Sequence, residues 1–257
     1  MSIHINNLPV ELLDNIFSLA ISEEHCNEYG SLHTTDLVRP FWDLHSLIPT
    51  SNSVHASIMG VCPLWKLVLG SGAVHWTTLV ITKASLPSIA RVARWLLRSK
   101  SAPIDIFVKP LPVQNPTPVQ FEEWSILFST LACHLHHVRS LLVVFPDEGY
   151  NCTALYDTIF PPRMMVHVPR LESLRIGCWV PISHLPRGFH APALKCLEGI
   201  GPVAGQIYSI MTRKSRASLI SFAFEPTPDS KEMLVSDISA SGSLRQLSCI
   251  DATLTTA

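Results

Sequence analysis

The chain has 257 residues, of which 47% are hydrophobic and only 15% charged, with 20 prolines and a formal net charge of −1. That length is enough for one large core or two small ones, and so apolar a composition is not that of a disordered segment. The near-neutral charge provides no field for nucleic acid, and no apolar run reaches the roughly 18 residues of a membrane span. The first residues, 1–7, lack the basic and apolar regions of a signal peptide. Seven cysteines are scattered without a C-x-x-C pair, mostly in apolar contexts, which predicts reduced, buried thiols of an intracellular protein, cytoplasmic or nuclear. Asn151-Cys152-Thr153 fits a glycosylation triplet, but without a secretory signal it reads as chance.

The first predicted element is a helix over 8–21. Pro9 sits in its first turn, where a missing N–H costs nothing, and Glu11 complements the positive helix end. Leu12, Ile16 and Leu19 fall on one face, and Leu13, Phe17 and Ile21 on an adjoining one. Together they make an apolar stripe wider than a helix normally buries. One stripe packs on the rest of the chain, and the other needs further protein or a partner. Residues 22–57 read as a loop with a short helix, anchored by Leu37, Phe41, Trp42, Leu44, Leu47 and Ile48 and inserted between two helical stretches. The next helix is predicted over 57–69, where Ile58, Val61, Trp65 and Leu69 follow the rhythm of a buried face.

These stretches resemble an F-box, specifically the F-box-like class of mushroom-forming (basidiomycete-type) fungi. That family opens on Leu-Pro-x-Glu-(Ile/Leu)-Leu-x-x-Ile-Phe, matched by Leu8 to Phe17. It continues with Val-Cys-x-x-Trp, matched by Val61, Cys62 and Trp65, and then a Leu/Trp pair before a strand, matched in part by Trp76. The spacer over 22–57 is longer than a minimal F-box carries, and Pro63 replaces a basic or polar residue. Both departures bear on partner binding.

A further helix is predicted over 86–100, with Pro87 in its first turn. Ile89, Val92, Ala93, Leu96 and Leu97 lie on one face, and Arg91, Arg94, Arg98 and Lys100 on or beside the other. Such a basic face suits either a membrane surface or, more simply, solvent around a packed helix with cations towards its C-terminus. Residues 104–108 alternate like a strand. The order Trp95-Leu96-Leu97-Arg98-Ser99, turn, strand also resembles the same fungal proteins just beyond their F-box.

From there the chain alternates helix and strand. A helix is predicted over 119–136, with Phe121, Trp124, Leu127, Phe128 and Leu131 apolar. Strands are predicted over 140–145, 172–177, 195–199, 219–224 and 245–250. The segments carrying them begin at 138, 171, 194, 219 and 244, spacings of 33, 23, 25 and 25 residues. The last three lie within the leucine-rich-repeat range, although no unit carries the consensus Asn. Such units bury an apolar edge only by stacking, which predicts parallel neighbours in one curved sheet. Strand alternation then places Ser140, Leu142, Ser173, Arg175, Cys196, Glu198, Ser221, Ala223, Gln246 and Ser248 on the concave face. The chain stops eight residues after Cys249 without a polar cap, which reads as a shortened protein or a fraying last repeat.

Catalytic patterns are missing. Gly70-Ser71-Gly72 has the wrong spacing for a nucleophile elbow, and no phosphate- or dinucleotide-binding glycine motif occurs. Cys133-His134-Leu135-His136-His137 is the best metal candidate, but it has no second ligand group. No carboxylate pair is recognisable as general acid and base. The residues therefore assign no catalytic centre, no metal and no cofactor.

The expected fold is α/β: a small helical F-box-like domain over 1–82, with its insertion at about 22–57, then a leucine-rich-repeat-like solenoid over 83–257. By resemblance, the protein is expected to be a non-catalytic substrate receptor of an SCF-type (cullin–RING) ubiquitin ligase. The resemblance makes Leu8, Pro9, Leu12, Ile16, Phe17, Val61 and Trp65 the candidates for binding a SKP-type adaptor. Ser140, Ser173, Arg175, Glu198, Ser221, Gln246 and Ser248 are the candidates for binding an unknown target protein. Nucleic acid and membrane are not expected partners. Two alternatives stay open: an F-box-like scaffold without a ligase role, and an enzyme of unrecognised type using a histidine of the 134–137 cluster.

Overall fold

The computed structural model describes residues 8–33, 53–109, 117–144, 152–177, 184–200, 203–224 and 244–249. Helix α1 spans Val10–His33, and the Pro9 carbonyl accepts from the N–H groups of Leu12 and Leu13 at 3.0 and 3.1 Å. It continues well past the expected end at residue 21, so the first part of the anticipated loop is helical. The cause is local: no proline interrupts the chain between Pro9 and His33, and polar residues by themselves do not stop a helix. The apolar anchors named between 37 and 48 lie outside the described residues.

The single helix expected over 57–69 is two, α2 (Ser53–Val61) and α3 (Pro63–Ser71). Cys62 between them is fully extended, with φ −162° and ψ 167°. The ring of Pro63 disfavours helical geometry at the preceding residue while suiting the first position of the next helix. A 3-10 turn over Ala73–Trp76 then leads to strand β1 (Thr78–Ile81).

The remaining elements in chain order are α4 (Leu86–Ser99), β2 (Ile104–Val108), α5 (Pro118–Ala132), a 3-10 turn (Leu135–His137), β3 (Val138–Val144), α6 (Cys152–Ile159), β4 (Met165–His167), β5 (Ser173–Gly177), β6 (Gly188–His190), β7 (Cys196–Ile200), α7 (Val203–Ile210), α8 (Arg213–Ser218), β8 (Ser221–Phe224) and β9 (Gln246–Cys249). Ser85 caps α4 by accepting from the Ser88 N–H, and Thr117 with Gln120 forms a reciprocal capping box on α5.

Seven strands form one sheet in the order β1-β2-β3-β5-β7-β8-β9, and every neighbouring pair is parallel. The spatial order of these strands is their chain order. The chain is thus an α/β protein with a parallel sheet, and the parallel pairing of β5 with β7 agrees with the stacking expected from periodicity. The repeat is also visible in the backbone just before the strands. Glu172 N–H donates to Arg139 O, Lys195 to Glu172, Ile220 to Lys195 and Arg245 to Ile220, at 2.7–2.9 Å. The spacing of these residues matches that of the predicted segments. Strand β1 stands where the resemblance implies a strand after Trp76, whereas a second parallel ladder of β4 with β6, extended by a bridge from Phe189 to Met211, was not anticipated.

One face of the main sheet is the core. Leu79, Ile106, Leu141, Leu174, Leu197 and Phe222 lie in register across six strands, each no more than 2% exposed. Burying each such side chain contributes roughly 1.5–3 kcal/mol before entropy is charged against it. The same cluster takes in Leu13, Phe17, Leu69 and Trp76 at one end and Phe224 at the other, so it crosses the expected boundary at 82/83 without a break. Asp105, buried on the other face, accepts two hydrogen bonds from the Arg139 guanidinium. That bidentate pair raises the arginine further above its usual range, against the opposing effect of its burial.

Two smaller expectations fail. Leu97, expected on the buried face of α4, is exposed, and Trp95 takes the buried position instead. Among the described cysteines Cys133 is exposed and Cys62 and Cys196 are half-buried as residues, although the Cys196 sulfur itself is turned inward. In each case an apolar sequence neighbourhood did not make the position itself interior.

Candidate functional site

Two surfaces carry the residues singled out by sequence. The first is α1, whose two apolar stripes meet opposite fates. Leu13, Phe17 and Ile21 are buried, and the Phe17 ring lies 5.0 Å from that of Trp65 on α3. Leu12, Ile16 and Leu19 are 48%, 40% and 71% exposed. A four-then-three spacing keeps each set on its own side, so a rotation that buries one leaves the other in solvent. Phe17 is therefore a core residue and no part of an exposed surface. Leu12, Ile16 and Leu19 form the unpaired stripe, with Val10 also exposed beside them in sequence.

Of the other adaptor-binding candidates, Pro9 and Val61 are exposed, while Leu8 and Trp65 are half-buried against the core. Trp65 was expected in the interior. Its Nε1–H is buried without an acceptor, and the α2–α3 break puts it on a different helix from Val61. Leu19, which its spacing places in the same stripe as Leu12 and Ile16, joins them on this surface although the family motif does not include it.

A second feature fixes the pose of α1. Asp14 Oδ1 lies 2.7 Å from His75 Nε2 in the 3-10 turn, and the His75 carbonyl lies 2.6 Å from His55 Nε2 on α2. Both imidazoles are buried. This relay joins α1, α2 and the turn before β1, and it orients the exposed stripe relative to the sheet.

The second surface is the sheet face opposite the core. Register aligns Ser140, Ser173, Cys196, Ser221 and Gln246 in one row. Leu142, Arg175, Glu198, Ala223 and Ser248 form the next. Alternation thus brings the target-binding candidates together. Exposure is less than expected: Ser140, Ser173, Arg175 and Glu198 are half-buried, while Ser221 and Leu142 are buried. Ser221 is a small side chain between cross-strand neighbours, and Leu142 stands between Phe107 and Arg175. At strand spacing such neighbours shade a residue in the middle of a sheet. The side chains of Gln246 and Ser248 lie outside the described residues.

The chemistry of this face is paired and quiet. Arg175 and Glu198 are direct cross-strand partners, with Nε 3.1 Å from Oε2. The Cys196 thiol donates to Glu198 Oε1 at 3.4 Å, and burial, reinforced by that carboxylate, pushes it up to about 12. A thiol so held is a poor nucleophile at neutral pH. In the 134–137 cluster, His136 Nε2 approaches His137 Nδ1 at 3.1 Å. Burial, then the neighbouring His136, His134 and Arg170, lower His137 to about 4. Among the described residues no group of three or more His, Cys, Asp or Glu is placed to hold a metal ion, and no helix is long and apolar enough to cross a membrane.

Compared with protein-family models, curated proteins and solved structures, the chain matches none of them.

Proposed function

We propose that the protein is a non-catalytic substrate receptor of an SCF-type (cullin–RING) ubiquitin ligase. In this reading α1 to α3 are an F-box-like module that docks a SKP-type adaptor, and the parallel-sheet units are a leucine-rich-repeat-like solenoid whose open face holds a target protein. The observation that carries it is the Leu12–Ile16–Leu19 stripe, solvent-exposed on the helix whose sequence resembles the F-box opening. An apolar face left uncovered is a normal mark of a binding surface. The sheet face, mixed in character and with its Cys196 thiol held unreactive, suits contact with a protein better than chemistry on a substrate.

Titration of the purified chain with a SKP-type adaptor tests the proposal. Saturable binding is expected, and Leu12→Ala with Ile16→Ala should weaken it by about thirtyfold, the loss of roughly 2 kcal/mol typical of an interface anchor. Because both residues are exposed, the melting temperature should hold. No binding by the unaltered chain sinks the ligase reading. The second reading is then an F-box-like scaffold without a ligase role, which the Cys62–Pro63 break favours, because Pro63 departs from the family pattern inside the Val61–Trp65 match.

A further inference from the structure

Helices α2, α3 and α4 and the turn before β1 line an open cavity of about 370 Å³, within the range of small-molecule sites. Its inner wall is aromatic: His55, Trp76 and Trp95, all at least 96% buried. The two indoles meet edge to face with centroids 4.7 Å apart, and the His55 ring lies 4.6 Å from Trp95. Its remaining charged lining is entirely cationic: Lys66 from α3, and Arg91, Arg94 and Arg98 from α4. The three arginines are spaced three and then four apart, so they lie along one side of the helix.

Three observations separate this arrangement from an ordinary solvated basic face. First, none of the four cations forms an ion pair with a carboxylate among the described residues. Like charges gathered on adjoining turns repel one another, so the cluster costs stability unless an anion joins it. Second, Arg98 is held in place. Its guanidinium lies 4.4 Å over the Trp76 ring, with Nη1 3.9 Å from the Met59 sulfur. A charge already ordered by stacking loses little entropy on meeting a ligand. Third, the Trp95 Nε1–H is buried with no acceptor, whereas the Trp76 Nε1–H donates to the Leu69 carbonyl at 2.8 Å. An unmet buried donor is costly, a cost that an acceptor brought against it would offset.

We infer that this cavity is a binding site for a phosphate monoester carried on a planar ring, with the anion on Lys66, Arg91 and Arg94 and the ring against Trp76 and Trp95. Arginine suits the fork of phosphate oxygens, and aromatic walls suit a flat body. The site does not depend on the exposed stripe of α1, so it stands or falls separately from adaptor binding.

Calorimetric titration with 1-naphthyl phosphate, 1-naphthol and inorganic phosphate provides the test. Saturable binding of 1-naphthyl phosphate is expected, at least tenfold tighter than either fragment alone. The indole N–H resonance lost in Trp95→Phe should shift during the titration of the unaltered chain. Arg91→Glu with Arg94→Glu should weaken binding at least tenfold while melting temperature and adaptor binding hold, since both arginines are exposed. A phosphotyrosine peptide that binds more tightly than 1-naphthyl phosphate identifies the source as a protein side chain, and one that binds no more tightly identifies a free small molecule. Absence of 1-naphthyl phosphate binding, equal affinity for 1-naphthol, or an affinity untouched by the double variant overturns the site.

Discussion

Phe17 and Trp65 touch one another, yet they do different work. Phe17 is 1% exposed and belongs to the continuous core, while Trp65 is half-buried and leaves its indole N–H unpaired. Phe17→Ala should therefore cost about 3–5 kcal/mol and unfold the helical end of the molecule, whereas Trp65→Ala should cost clearly less. Denaturant melts of the two variants check the order, and a reversed order would mean that the core runs through Trp65. His137 supplies a pH dependence. Its folded value near 4 lies below the ordinary 6.5, so the unfolded chain binds the proton more readily. Its contribution is therefore intact above pH 6.5 and is lost as pH falls towards 4. His137→Asn should flatten the loss of stability over that window. An unchanged slope in urea melts between pH 7 and pH 4 would count against the assignment.

At the scale of elements, local signals decided starts and stops. Thr117 and Gln120 close a capping box at the first turn of α5, and Thr117→Ala should cost about 1 kcal/mol, measurable as a shift in denaturation midpoint. Pro63 divides α2 from α3 through the residue before it. The rhythm of Ile58, Val61, Trp65 and Leu69 predicted one helix because periodicity is blind to a break that preserves the spacing of apolar positions. α1 shows the converse error. Polar residues after Ile21 read as loop, but polarity alone does not end a helix when neither proline nor a capping signal intervenes.

For the whole molecule, the sheet is the organising structure, and the Asp105–Arg139 pair ties two of its strands. Asp105 is buried and Arg139 is partly in solvent, so the arginine is the replaceable partner. Arg139→Ala should destabilise the fold by roughly 2–3 kcal/mol, below the usual cost of breaking a buried pair because the arginine is partly in solvent. Thermal unfolding of the variant should fall by several degrees in a single transition, since one core runs from α1 to β8.

The strands β2, β3, β5, β7, β8 and β9, their parallel order and their core-facing residues were legible in the sequence. Alternation and a spacing of 23–25 residues are properties of neighbours in sequence, and they survive into three dimensions because these strands pair in chain order. Which of two equally apolar stripes on α1 turns inward was not legible. Leu12 and Leu13 are chemically alike, and only the position of α3 and the Asp14–His75–His55 relay sets the rotation of the helix. The cationic cavity was hidden for the same reason. Arg91, Arg94 and Arg98 read as a solvated face until α2 and the Trp76 turn were brought against them, because local spacing gives the side of a helix a residue occupies but not what stands opposite it.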